Sequence, residues 1–237
     1  MISDRSIRAA RDQFQLVVTA ADAMQFSRLQ IVLDASLSMT SGDGSKEQIA
    51  RELTILLLQL SESAGIRGSV YALRGADRNR TFETAENAKV ATIPFDGTEL
   101  LANCWARDVL LTSPNTMRVV ISDFLFPGDP APLVSQAADG AGRLWLVQLL
   151  DEWELQPVPS GPMALLDIET EQSTELMLDE ATIARYVESL AKLRDQWTVA
   201  SRSVSAQFVT ASAAAGLERL CSDQLVPAGL LGTSSRN

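Results

Sequence analysis

Three oxygen-bearing side chains, Asp34, Ser36 and Ser38, follow the apolar run Leu29-Gln-Ile-Val-Leu33 at every second position. If the backbone stays extended through them, alternate residues point the same way and a carboxylate and two hydroxyls converge. Such an oxygen-only set is what Mg²⁺ prefers, with water completing its shell. Ile31, Val32 and Leu33 read as a buried strand, and open α/β sheets bind ligands beyond the carboxyl ends of their strands. The loop is expected to be exposed. Asp and Ser also gather in turns and helix caps for local reasons, so the spacing gains weight only from the rest of the chain.

Two further oxygen groups supply that weight. Thr98 lies in Asp96-Gly-Thr98-Glu, after a loop and at the start of a helix, and Asp123 ends the strand Arg118-Val-Val-Ile-Ser-Asp123. Alone, Thr98 reads as an N-cap and Asp123 as a cap or turn residue. Together, in this order, the five residues fall in three loops that share one edge of a doubly wound sheet.

The elements that must position them follow from periodicity. Ile49, Leu53, Leu56, Leu57, Leu60 and Ala64 recur at helical spacing, so Lys46 to Ser63 is an amphipathic helix. Ser45 and Gln48 give it a capping-box start, and Gly65 a stop. Strands are expected at Ser69–Leu73, Met117–Ile121, Arg143–Leu150 and Val204–Val209, with a short edge strand near Arg80–Glu83. Helices are expected from about Glu99 to Leu111, up to Ala138, over Glu180–Val199 and over Ala213–Cys221. The face Ile183, Tyr186, Val187, Leu190, Leu193 and Trp197 marks the longest of these. Ala164–Ile168 and Thr174–Leu178 pair as a hairpin. The alternation predicts an α/β fold, doubly wound, its mostly parallel sheet covered by helices on both faces. Leu29–Leu33, Arg118–Ile121 and Leu144–Leu149 should be neighbouring central strands, because their apolar runs demand burial on both faces. Residues 1–27 read as a helical or partly ordered lead-in. Residues 28–237 read as one domain with a C-terminal helical extension.

Composition narrows the chemistry. The 237 residues carry a net charge of −10 and no long basic tract, which argues against nucleic acid and anionic membranes as partners. No apolar run approaches the roughly 20 residues of a membrane span. The N-terminus lacks a signal-peptide pattern, so the expected location is the cytoplasm. The absence of histidine removes Ser-His and Cys-His catalysis, His-ligated zinc and a histidine pH switch. Cys104 and Cys221 belong to no CxxC pair and fit helix faces as small apolar residues.

The pattern Asp34-x-Ser36-x-Ser38, with Thr98 and Asp123, resembles the metal-ion-dependent adhesion site of von Willebrand factor A domains. The later succession narrows the likeness: Leu149-Leu-Asp151-Glu-Trp-Glu154, then Leu165-Leu-Asp167-Ile-Glu169-Thr-Glu171, then a long helix bearing Tyr186, then Leu225-Val-Pro-Ala-Gly-Leu-Leu231. It is similar to the bacterial domain-of-unknown-function family fifty-eight, whose members carry a von Willebrand A-like domain and are associated with MoxR-type AAA+ ATPases. On the residues alone, the two acidic stretches are a pair of solvated loops. The family's upstream Tyr-x-x-Gly-Asp and Ile-Asp-Trp pattern is not found before Leu29, which makes this a shortened or divergent member.

The resemblance implies Mg²⁺ (or Mn²⁺ or Ca²⁺) held by Ser36, Ser38 and Thr98, with Asp34 and Asp123 acting largely through water. A carboxylate from a protein partner, a MoxR-type AAA+ ATPase, would complete the shell. The expected function is a non-enzymatic adaptor in the assembly or maturation of other proteins. A Mg²⁺-dependent phosphate-ester hydrolase is the alternative, disfavoured because Asp34-Ala-Ser36 lacks a second carboxylate and no GxxxxGK[ST] loop is present. A scaffold that binds no metal is the third reading.

Overall fold

The computed structural model describes residues 2–18, 26, 28–74, 80–83, 86–107, 115–166 and 173–234. The chain opens with α1 (Asp4–Gln13), capped by the Ser3 hydroxyl, and β1 (Phe14–Leu16). β2 (Arg28–Asp34) leads through a 3₁₀ turn at Leu37–Thr40 into α2 (Ser45–Ser63). Next come β3 (Arg67–Leu73), β4 (Arg80–Glu83), α3 (Asn87–Ala91) and α4 (Leu101–Arg107). They are followed by β5 (Thr116–Ser122), α5 (Ala131–Ala138), β6 (Ala141–Leu150) and the single turn α6 (Glu152–Leu155). The hairpin β7 (Gly161–Leu166) and β8 (Ser173–Leu178) precedes α7 (Glu180–Ser203). The last elements are β9 (Gln207–Ser212), α8 (Leu217–Leu220) and β10 (Leu231–Thr233).

Among the described residues, six strands form the main sheet in the order β4-β3-β2-β5-β6-β9. The five from β3 to β9 run parallel, and β4 is an antiparallel edge. The expected central trio, β2, β5 and β6, is adjacent. Its residues alternate between two cores, which is why the sequence shows no polar face. Ile31, Leu33, Val119, Ile121, Val147 and Leu149 enter one apolar cluster, while Val32, Val120 and Leu146 enter the other. The first cluster packs α1, α2 and the C-terminal segment; the second packs α4, α5 and α7. From the first 27 residues, Ile7, Ala10, Phe14, Leu16 and Phe26 join the same core as β2, and β1 pairs antiparallel with β10. Among the described residues no helix is long and apolar enough to cross a membrane.

Four local expectations are corrected. The Ser45–Gln48 capping box does not form: Gly44, at φ 79, is the N-cap, Asp43 accepts from Ser45 N–H at 2.9 Å, and Gln48 turns to Glu52. α7 does not stop at Val199 but continues to Ser203, because Ala200 and Ser201 still face the core. A turn with Ser205 at φ 59 then delays the last strand to Gln207–Ser212, so Val204–Val209 is not the strand. Ala213–Cys221 is not one helix either: Gly216, at φ 83, separates a 3₁₀ turn at Ala213–Ala215 from α8. The end of the helix expected to reach Leu111, and the acidic stretch 167–171, lie outside the described residues.

Candidate metal centre

Strand pairing carries β2 past its formal end. Ala35 N–H donates to Leu73 O at 3.0 Å, and Ser36 forms a parallel bridge with Gly97. Gly97 N–H donates to Ala35 O at 3.0 Å, and Leu37 N–H donates to Gly97 O at 2.8 Å. Only glycine fits there, since a Cβ would lie 2.9 Å from Arg74 O and 3.1 Å from Ala35 O. The close approach fixes the backbone just before Thr98 beside Ser36. Arg74, whose Nε donates to Asp96 at 2.6 Å, fixes the same loop. Thr98 is exposed and is not the cap of α4, which begins at Leu101.

The backbone stays extended at Ser36 (φ −73, ψ 162) and then turns into the 3₁₀ segment. The hydroxyls of Ser36 and Ser38 therefore meet through a turn, not through strand alternation, with their oxygens 3.0 Å apart. The expected exposed loop is largely enclosed: Ser36 is 2% exposed, and Asp34 and Asp123 are buried beside it. Asp34 Oδ1 accepts from Ser36 N–H at 3.0 Å, and its Oδ2 accepts from Ser122 Oγ at 2.6 Å, which ties β2 to β5. Asp123 Oδ1 accepts from Leu125 N–H at 3.2 Å. Gln148, itself held by Thr210, donates to Asp123 O at 2.8 Å. Phe124 then adopts φ 50, in the left-handed region, and is held there by packing on Trp197 with ring centroids 4.5 Å apart.

Asp34, Ser36, Ser38 and Asp123 thus come together at the carboxyl edge, and Thr98 follows Gly97 in the loop that pairs with Ser36. Three residues read otherwise in the sequence also stand there. Lys46 is completely buried, its Nζ 2.6 Å from Glu154 Oε1 and 3.5 Å from Asp123 Oδ2. Asp151 and Glu154 are not in a solvated loop; they are buried and close a capping box around α6. Tyr186 donates its hydroxyl to Glu154 O at 2.8 Å.

The electrostatics follow from burial. Loss of solvent, reinforced by the Asp123 charge, pushes Asp34 up to about 6, although Ser122 and Ser36 bond to its charged form. Burial raises Glu154 despite the opposing pull of Lys46. Burial and the nearby Glu154 push Tyr186 up to about 12. Two buried carboxylates, Asp123 and Glu154, meet the buried Lys46 ammonium at this edge, and Asp34 feels the Asp123 charge.

The donor set fits a small hard cation. Two oxygens bound side by side to Mg²⁺ at about 2.1 Å lie about 3.0 Å apart, as the Ser36 and Ser38 hydroxyls do. The two aspartates, already engaged by N–H and O–H donors, are suited to reach such an ion through water. Among the described residues no three Asp, Glu, His or Cys side chains gather as a metal-holding set. An ion here depends on the hydroxyls.

The parallel order β3-β2-β5-β6-β9 forms an α/β fold of the Rossmann-like, von Willebrand A type. No family model and no curated protein matches the chain. Among solved structures, it is similar to an aerotolerance-related membrane protein from Bacteroides fragilis NCTC 9343, at 14% identity over 78% of this chain and 90% of that one, with a TM-score of 0.41. It is similar to the conserved hypothetical protein BatB from Bacteroides thetaiotaomicron, at 12% identity over 78% and 90% of the two chains, with a TM-score of 0.43. It is also similar to the open conformation of the pilus adhesin SpaC from Lactobacillus rhamnosus GG, at 9% identity over 87% of this chain and 30% of that one, with a TM-score of 0.46.

Proposed function

We propose that this chain is a non-enzymatic, divalent-metal-dependent interaction module of the von Willebrand A type, allied to the domain-of-unknown-function family fifty-eight. The observation that carries the reading is the Ser36–Ser38 hydroxyl pair, 3.0 Å apart and backed by buried Asp34 at the carboxyl end of a central strand. Ser36 and Ser38 hold the ion directly, Thr98 stands on the open side, and Asp34 and Asp123 orient its waters. The bound ion supplies a positive centre for a carboxylate of the partner. The partner is a MoxR-type AAA+ ATPase, and the pair assembles or matures other proteins. The partner assignment draws on the resemblance of the acidic stretches and the Tyr186 helix to that family.

Ser36→Ala tests the reading. It removes one buried hydroxyl whose bond to Ser38 contributes little, so stability should fall by no more than about 1 kcal/mol. Mn²⁺ affinity in a calorimetric titration should fall, and so should capture of the purified ATPase in Mg²⁺. EDTA should release the wild-type complex. A complex that survives EDTA, or a Ser36→Ala chain that binds ion and partner normally, sinks the metal bridge. Mg²⁺-dependent phosphatase activity would favour the hydrolase reading instead.

A further inference from the structure

Lys46 has no part in the function just described, yet its burial demands a reason. An ammonium leaves water only when it is paired. Its stem continues the buried stripe of Ile49, Ala50 and Leu53, and its head reaches the carboxyl edge of the sheet. Glu154 is pre-aligned to receive it: Oε2 accepts from Asp151 N–H at 2.9 Å, while Oε1 faces Lys46 at 2.6 Å. Asp123 is placed between two demands. Its Oδ1 is taken by Leu125 N–H, and its Oδ2 faces Lys46 at 3.5 Å.

We infer that Lys46 is a built-in counter-ion that sets how strongly this edge binds a divalent cation, acting through Asp123 and balanced by Glu154. The inference rests on the proposal that a divalent ion is held by the Ser36–Ser38 pair. Lys46 offsets part of the charge of the buried carboxylates in the absence of an ion, which keeps the empty edge folded. The same positive charge opposes a second cation at close range, which caps affinity. Glu154 draws the ammonium away from Asp123 and leaves that carboxylate available to the ion's waters. Lys46 is therefore a positioning and tuning group, not a ligand.

The test is a charge-balance cycle on the full chain: wild type, Lys46→Met, Glu154→Gln and the double variant, each titrated with Mn²⁺ and melted in EDTA and in Mn²⁺. Lys46→Met leaves Asp123 and Glu154 without their cation, so it should melt lower in EDTA, recover in Mn²⁺, and bind Mn²⁺ about tenfold more tightly or better. Glu154→Gln leaves Lys46 to Asp123 alone and should weaken Mn²⁺ binding by about tenfold. The double variant restores the local charge and should bind within about threefold of wild type. A purely structural lysine would lower the melting temperature in every buffer and leave Mn²⁺ affinity unchanged; that result overturns the inference. If Lys46→Met does not fold, Glu154→Gln decides alone, and unchanged affinity there is equally fatal. Mn²⁺ binding by Lys46→Met but not by wild type would support the counter-ion role while rejecting metal dependence of the natural chain. Failure of every variant to bind Mn²⁺ would reject both.

Discussion

Arg118 and Lys46 are both fully buried cations, and they serve opposite ends of the sheet. Arg118 stands near the start of β5. Its Nε and Nη2 donate to Gln30 Oε1 at 3.1 and 2.9 Å, and its Nη1 donates to Ala137 O and Asp139 O at the end of α5. Burial pulls the guanidinium down to about 10, with Asp139 opposing the shift. Amide and carbonyl oxygens, fixed by the fold, receive every one of these bonds. Lys46 instead meets two carboxylates, Glu154 and Asp123, at the edge where strand ends open into loops. A fork bonded to backbone carbonyls locks strand to helix and nothing in solution can replace it. A point charge set among carboxylates does what a dissolved cation could also do. The same formal charge is therefore a rivet at one end of β5 and a tuning element at the other.

The largest effect that would sharpen this contrast comes from Arg118→Met. Losing the bonds to Gln30, Ala137 O and Asp139 O should cost about 3–5 kcal/mol in urea unfolding. Mn²⁺ should restore none of it beyond what it adds to wild type; specific rescue by Mn²⁺ would break the distinction.

Next comes the pH dependence of the metal-free protein, to which Asp34 contributes. Its carboxyl binds a proton more tightly when folded, at about 6 against 3.8 unfolded. Its contribution is thus fully present below about pH 4 and is lost as pH rises through about 6, amounting to about 1–3 kcal/mol by pH 7. Asp34→Asn should flatten the fall in unfolding free energy between pH 4 and 7 in EDTA. An unaltered slope would show that Asp34 does not carry the charge strain of the edge.

The smallest effect belongs to Tyr186→Phe, which removes the hydroxyl bonded to Glu154 O. About 1 kcal/mol should be lost, with Mn²⁺ affinity changed by less than twofold. A larger change in affinity would mean that α7, and not Lys46 alone, governs the edge.

Much of this was legible in the residues, for reasons that can be named. β2, β5 and β6 declared themselves because burial on both faces suppresses alternation. Thr98 stood out as an oxygen group after a loop and before a helix, and the structure adds that Gly97 before it admits no Cβ. Lys46 was hidden because a lysine in a first helical turn ordinarily points to water. The overlooked signal was its position one turn ahead of Ile49, Ala50 and Leu53 on the same stripe. Glu154 was hidden as part of an acidic stretch read as solvated. The three-residue spacing from Asp151 is that of a capping box, which draws both carboxylates in toward the backbone. The late shift of the last strand was illegible because Ser205 takes a positive φ that serine rarely adopts.

The pairing of β1 with β10 carries a consequence for synthesis. Leu16 is bonded in register to Leu231, across nearly the whole length of the chain. A ribosome making this protein from its N-terminus releases β1 long before its partner strand exists. β2 can meet β3 early, across a single intervening helix, and β5 and β6 can be added in turn. The ladder that joins Phe14 to Thr233 has to wait until Thr233 has been made. Until then Phe14 and Leu16 are apolar residues without their final strand, so a segment made before the whole main sheet is among the last to be secured.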